Sequence, residues 1–433
     1  MEEKNNTFKY VVMGVFGVFV IIGLIAFSSY KSSSNSANSV QINIWGTVDK
    51  NIFDTYVEKY KEVTNNTLNV IYTYKSLDTI DSNLIEAIAT GKGPDVILVP
   101  SSLEKRYLDK VYMITTIPIR TFQDTFVQEA NLYIQPNGIF ALPFFVDPMV
   151  MYWNRDMFAS ANIAVAPKKW SEFPLLAQSL SQSDSNANIL KSAVSFGGFS
   201  NINNAKALIS TLILQAGSPI VSVDNNGIFK SELNYQSSSD VMVPAVSALQ
   251  FYTDYSNPKK SVYSWNSSLP SSKQSFLSED LATYFGFASE YQDIKDTNPN
   301  LNFDIATMPQ VVDATSKATF GQLYGFSILK SSPNIGGAFS LITTLISNVS
   351  VSAFLQVMPV APARNDIIVN GSTNPVQTIV FNSAIISKGW IDPDTNKTDQ
   401  IFKDMIDNIT SGNTDVSTSV SQASAKIDDL LKQ

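Results

Sequence analysis

The chain has 433 residues, 44% hydrophobic and 16% charged, with a formal net charge of −8. That length exceeds one ordinary core and fits two lobes, and an acidic, globular composition without a long basic run excludes nucleic acid as a partner. Cysteine and histidine are both absent, which removes disulfides, thiolate nucleophiles, imidazole bases and Cys- or His-ligated metals, so no cofactor and no metal are expected.

In chain order, the first feature is Tyr10–Tyr30, which carries no charged residue and contains the apolar core VVMGVFGVFVIIGLIAF. At about 1.5 Å per residue such a helix crosses a hydrocarbon layer of roughly 30 Å. Lys4 and Lys9 precede it and Lys31 follows, a weak bias that puts the N-terminus in the cytoplasm. The expectation is a single-pass anchor in the cell membrane: 1–9 cytoplasmic, 10–30 transmembrane, 31–39 a Ser-rich tether, and the bulk of the chain extracytoplasmic. A cleavable signal peptide is the rival, although its apolar region normally runs roughly 7–15 residues.

Beyond the tether, Val40–Trp45 alternates polar and apolar residues and predicts a strand. Asn51–Tyr60 puts Ile52, Phe53, Tyr56, Val57 and Tyr60 on one helical face. Leu68–Tyr74 predicts a strand and Ile80–Ala89 a helix ending at Gly91. Asp95–Val99 is a short apolar strand of the doubly buried kind. This β-α-β-α-β opening predicts a mostly parallel sheet with helices on both faces. Helices are then expected over Ala205–Gln215, closed by Gly217, and over Val241–Tyr255, Ile335–Ile346, Ile401–Ile409 and Ala423–Leu430. A helix end and strand are expected over Phe276–Phe287 and a strand over Phe303–Met308. Asn225-Asn226-Gly227 is a turn signal.

Several of these pieces resemble the extracellular solute-binding proteins of bacterial carbohydrate uptake systems, the group that includes maltose-binding protein. They are INIWG at Ile42–Gly46, AIATGKGPDVILVPSS at Ala87–Ser102, NGIFALPFFVDPMVMYWNRDMF at Asn137–Phe158, APKKWSEF at Ala166–Phe173, FGQLYGFSILKSSPN at Phe320–Asn334 and GWIDPD at Gly389–Asp394. Each is weakly specific; their order and joint coverage are the signal. The resemblance implies an α/β fold of two hinged lobes with a ligand cleft between them. It implies crossings near Asp147-Pro148, Met308-Pro309 and Met358–Pro362, hence 40–147 with 310–358 as lobe I and 148–309 with 359–433 as lobe II. It further implies a monomeric carrier that hands a mono- or oligosaccharide to the permease of an ABC transporter, and no catalysis.

Ligands of open parallel sheets sit beyond the carboxyl ends of the strands. That rule selects Trp45–Lys50, the serines Ser101 and Ser102, and the residues after Val146. Asp49 is either a hydroxyl acceptor or a helix-start acid, and the resemblance favours the former. Asp95, at the opposite end of its strand, is expected to be structural. Asp147 interrupts an apolar run; the resemblance makes it a cleft acid, and the alternative is that it pins the crossover. Asn201, Asn203 and Asn204, at a helix start, are amide candidates or caps. Trp265 stands among polar residues (YSWNSS), which favours exposure or stacking on ligand over the core packing expected of the other tryptophans. Tyr284, Phe285, Phe287 and Tyr324 match regions that face the cleft in relatives. Two other readings stay open: a membrane-anchored carbohydrate-active enzyme using paired carboxylates, and a sensory ectodomain or one for another solute.

Overall fold

A computed structural model describes residues 41–432, apart from 187, 225–226, 238–241 and 313–316. The expected anchor, the tether and the Asn225-Asn226 pair lie outside the described residues. Among the described residues no single helix is long and apolar enough to cross a membrane.

The opening follows the sequence pattern. Ile42–Gly46, Val70–Tyr74 and Val96–Pro100 are parallel strands, with Ile42–Gly46 in the middle. Helices Lys50–Thr64 and Ile80–Ala89 connect them. Ile42 and Ile44 are buried while Asn43 is exposed, whereas Val96–Pro100 is buried at every position, as in a strand covered on both faces. The helix starting at Lys50 is capped by Asp49, whose carboxylate accepts from Asn51 N at 2.8 Å, and it ends at Asn65 in the left-handed region.

The strand Leu142–Asn154 joins two halves of one sheet and is buried along its whole length. From Leu142 to Pro148 it pairs antiparallel with Thr319–Ile328. From Met149 on it pairs instead with Leu281–Phe287, and from Val150 also with Phe303–Thr307. The change of partner falls at Pro148, which has no N–H to give to a ladder. Leu281–Phe287 continues the sheet through Ile189–Val194, to which it is parallel. Each half has its own aromatic core. Tyr56, Phe144, Phe145, Phe326 and Phe354 pack together on one side. Trp170, Phe173, Phe196, Phe251 and Phe285 pack together on the other. The result is a mixed α/β fold of two lobes.

Later elements also appear, with shifted ends. Ala205–Ala216 is buried nearly all round and closes on Gly217 at φ 106°. The tail helices are longer than their apolar spacing suggests, Thr395–Thr410 and Val416–Leu431. Asp394 accepts from Lys397 N and Asp415 from Thr418 N, so polar caps start both helices before the first apolar residue of the pattern. These two helices pack on each other and on Ala205–Ala216 and Pro244–Asp254. Ala361–Pro362 pairs with Val146–Phe145, and Asn365–Asn370 packs on Ile119–Thr125.

Asp95 is a structural tie. Its carboxylate accepts from Asn43 N at 2.9 Å and from the Ser332 hydroxyl at 2.6 Å, at 6% exposure. Asp95→Ala should lower stability by about 1–3 kcal/mol in urea titrations, because the Asn43 N–H loses its acceptor. Ligand affinity should not change; a drop in affinity without a drop in stability would reverse that assignment.

Candidate ligand cleft

After Pro100 the chain turns through a 3-10 segment, Ser101–Leu103, into the short helix Glu104–Tyr107. In the other half, the chain leaving Ile189–Val194 turns through Phe196–Asn204 into the helix that begins at Ala205. These two turns face a cavity of about 570 Å³. Ser101, Ser102 and Gln322 line it from one lobe, and Phe199, Asn204 and Lys206 from the other. Phe287 and Phe320 stand near the crossover, and Trp390, Asp392, Thr395, Asp399 and Lys403 form the end wall. Rings beside hydroxyls, amides and carboxylates suit a ligand with both C–H faces and hydroxyl groups.

The end wall is held internally. The Lys206 ammonium donates to Asp392 Oδ2 at 3.1 Å, Thr395 O at 2.9 Å and Thr398 Oγ1 at 3.1 Å, which uses all three of its donors. Burial pushes the Asp392 carboxyl above the usual range, and Lys206 and Thr398 pull it back only in part. Trp390 donates from its indole to Ser210 Oγ at 3.1 Å and lies parallel to Phe402.

A buried acid lies behind the cavity. Glu129 is 4% exposed, and among the described residues neither carboxyl oxygen makes a well-formed hydrogen bond, although the Ser387 hydroxyl lies against it. Burial pushes its pKa up to about 7. A Cβ at Gly321 would lie 1.8 Å from Ser387 Oγ and 2.6 Å from Glu129 Oε2, so only glycine fits there. A second cavity of about 860 Å³ opens on the far side of Gly389 and Trp390, near the C-terminal end of Ala205–Ala216.

Of the residues named from sequence, Ser101, Ser102, Asn204 and Phe287 line the first cavity. Asp147 and Tyr324 lie just behind it. Asp147 is opposite Gln322 in the strand pairing and accepts from Ser289 N at 3.0 Å. Burial foremost raises its pKa to about 7 against the lowering by those Ser289 bonds, and Glu290 adds to the rise. Tyr324 stacks on Phe145 and donates to Gln322 Oε1 at 3.3 Å, so it orients a lining residue. Asp49 is an exposed cap outside the lining. Asn203 spends its amide oxygen on Lys273 N and the Ser272 hydroxyl, capping a helix away from the cavity. Tyr284 is buried and donates to Glu290 Oε2 at 2.8 Å, while Asn204 donates to its hydroxyl. Phe285 is in the core. The expected exposure of Trp265 is overturned: it is 0% exposed, and its indole donates to Asn201 Oδ1 at 3.2 Å.

The lining residues Phe199, Lys206, Phe320, Gln322, Asp392, Asp399 and Lys403 were not named from sequence, and Trp390 was assigned to packing. Phe320, Gln322, Trp390 and Asp392 do fall in the FGQLYG and GWIDPD segments, the only signal that pointed to them. Among the described residues no cluster of His, Cys, Asp and Glu could hold a metal ion.

Residues 46–351 match the sequence profile of the bacterial extracellular solute-binding proteins. No curated protein sequence matches the chain. Among solved structures, a cyclo/maltodextrin-binding protein complexed with maltotetraose superimposes with a TM-score of 0.72 at 14% identity, covering 93% of this chain and 99% of that one. The maltotriose-binding protein of Thermus thermophilus, bound with maltotriose, gives 0.64 at 16%, covering 90% and 99%. An ABC transporter solute-binding protein of Thermotoga lettingae bound with α-D-tagatose gives 0.64 at 17%, covering 90% and 99%. At such identities the likeness is one of fold.

Proposed function

The chain belongs to the bacterial extracellular solute-binding proteins, and from that premise we propose that it captures a saccharide between its lobes and delivers it to an ABC transporter permease. The observation that carries the sugar class is the cavity lining. Four rings (Phe199, Phe287, Phe320 and Trp390) stand beside Ser101, Ser102, Gln322 and Asp399, which pairs stacking faces with hydroxyl partners. The saccharides in the superimposable structures support the same class. The lobes divide as expected from the resemblance, 40–147 with 310–358 and 148–309 with 359–433, except that 359–370 goes with the first lobe. That change is motivated by the pairing of Ala361–Pro362 with Val146–Phe145 and the packing of Asn365–Asn370 on Ile119–Thr125. The protein acts as a monomer outside the cytoplasm, held by an uncleaved helix over 10–30, a reading that rests on the uncharged run and the lysines flanking it.

A thermal-shift panel of mono- and oligosaccharides tests the sugar class. At a ligand concentration 100 times the dissociation constant, binding adds about 2.7 kcal/mol, which raises the melting temperature by a few degrees. No shift with any saccharide, together with a shift by amino acids or peptides, would overturn it. Release of shortened sugar would favour the enzyme reading, for which the carboxylates Asp392 and Asp399 of the end wall are the nearest pair in sequence.

A further inference from the structure

Arg106 lies in the helix Glu104–Tyr107, directly after the turn that carries Ser101 and Ser102. Its guanidinium reaches two carboxylates. Nε is 3.3 Å from Asp81 Oδ2, in a helix of its own lobe. Nη2 is 3.4 Å from Asp394 Oδ2. Asp394 caps the helix Thr395–Thr410, which packs on Ala205–Ala216 of the other lobe and supplies Thr395, Asp399 and Lys403 to the cavity. The same short helix touches the other lobe again, where the Lys105 ammonium lies 5.1 Å from the centre of the Phe229 ring.

We infer that Arg106 is a clasp across the mouth of the cleft: a positioning residue that holds the two ligand-bearing walls together and so sets how long a bound ligand stays. Its two ion pairs respond differently to opening. Asp81 moves with Arg106, so that pair survives whether the lobes are open or closed. Asp394 belongs to the opposite wall, so that pair exists only when the lobes are closed. Only an interaction that differs between two states shifts their populations. Asp81 therefore aims the guanidinium, and Asp394 supplies the bias toward closure. Arg106 is about one third exposed, with a side-chain exposure of 35%, and an ion pair so exposed is weak. Its loss should speed ligand release by roughly 2- to 5-fold, with most of the effect removed by salt.

This assignment rests on the two-lobe carrier reading, and the test keeps the two apart. Lobe separation can be read without ligand. The chain has no cysteine, so Lys61→Cys and Asn413→Cys, both at exposed positions on opposite lobes, place two spin labels and no others. In that doubly labelled full chain, Arg106→Gln and Asp394→Asn should each shift the distance distribution toward longer separations. The double variant should shift it no further than either single one. Asp394→Asn keeps the oxygen that caps the helix, so a general loss of folding is not the cause. With a saccharide from the panel bound, the release rate should follow the same non-additive pattern, and 0.5 M NaCl should reproduce it in the wild-type chain. Unchanged distances in both single variants, or effects of Arg106→Gln and Asp394→Asn that simply add, would overturn the clasp. Shifted distances in a chain that no saccharide stabilises would keep the clasp and remove the sugar.

Discussion

Trp390→Ala is expected to cost about 3–5 kcal/mol of stability, the range for a buried aromatic replaced by a methyl group. Trp390 is 4% exposed, packs parallel to Phe402 with ring centres 6.1 Å apart, and bonds Ser210. Its removal empties the space between Ala205–Ala216 and Thr395–Thr410 and leaves the Ser210 hydroxyl without that donor. The same ring lines the cavity, so sugar affinity should fall as well. Trp390→Phe separates the two effects. It keeps a ring, recovers most of the packing, and loses the indole bond at about 1 kcal/mol. Urea denaturation reads the first effect and calorimetric titration the second. An unchanged urea midpoint in Trp390→Ala would mean that the end wall is not a packed unit.

Glu129→Gln is expected to stabilise the protein above neutral pH. The Glu129 carboxyl has an ordinary value of 4.5 and rises to about 7 in the folded chain, because burial disfavours its charged form. Between those values the folded state holds a proton that the unfolded state has released. Stability therefore falls as pH rises through that window, by about 3 kcal/mol for this one group, and stays low above it. Glutamine cannot ionise, so the variant should lack that part of the slope. The two proteins should be about equally stable at pH 4.5–5, and the variant more stable by about 1–3 kcal/mol at pH 8, less than the full term because a buried amide also wants partners. Asp147, raised to about 7 as well, contributes a slope of the same sign that both proteins retain. Identical slopes would mean that Glu129 reaches water or a partner in solution.

The elements were legible where one physical signal dominated. Alternation marked Ile42–Gly46, a continuous apolar run marked Val96–Pro100, and Gly217 marked the end of Ala205–Ala216. The tail helices read short because their starts are set by Asp394 and Asp415 rather than by apolar spacing. The cleft was less legible because its walls come from segments far apart in the chain, such as Ser101, Asn204, Gln322 and Trp390. Local polarity misled at Trp265. The carbonyls on either side of it are bonded from other segments: the Ser192 hydroxyl donates to Ser264 O, and Asn201 Nδ2 donates to Asn266 O, while Ser267 and Ser268 stay exposed. A polar stretch of sequence can thus enclose a buried indole. Asp49 and Asn203 had two readings each: Asp49 caps its own helix, whereas Asn203 bonds the first turn of another helix, Ser272–Leu277, and not the one that it precedes.

The central claim is that a saccharide binds between the lobes and holds them together. Small-angle scattering of the protein from Gln41 onward, with and without a saccharide that titrates by calorimetry, tests it most directly. The account predicts one binding site per chain and a smaller radius of gyration when it is filled. Saturable sugar binding with no change in radius, or no saccharide binding while another class of solute produces the compaction, would contradict it.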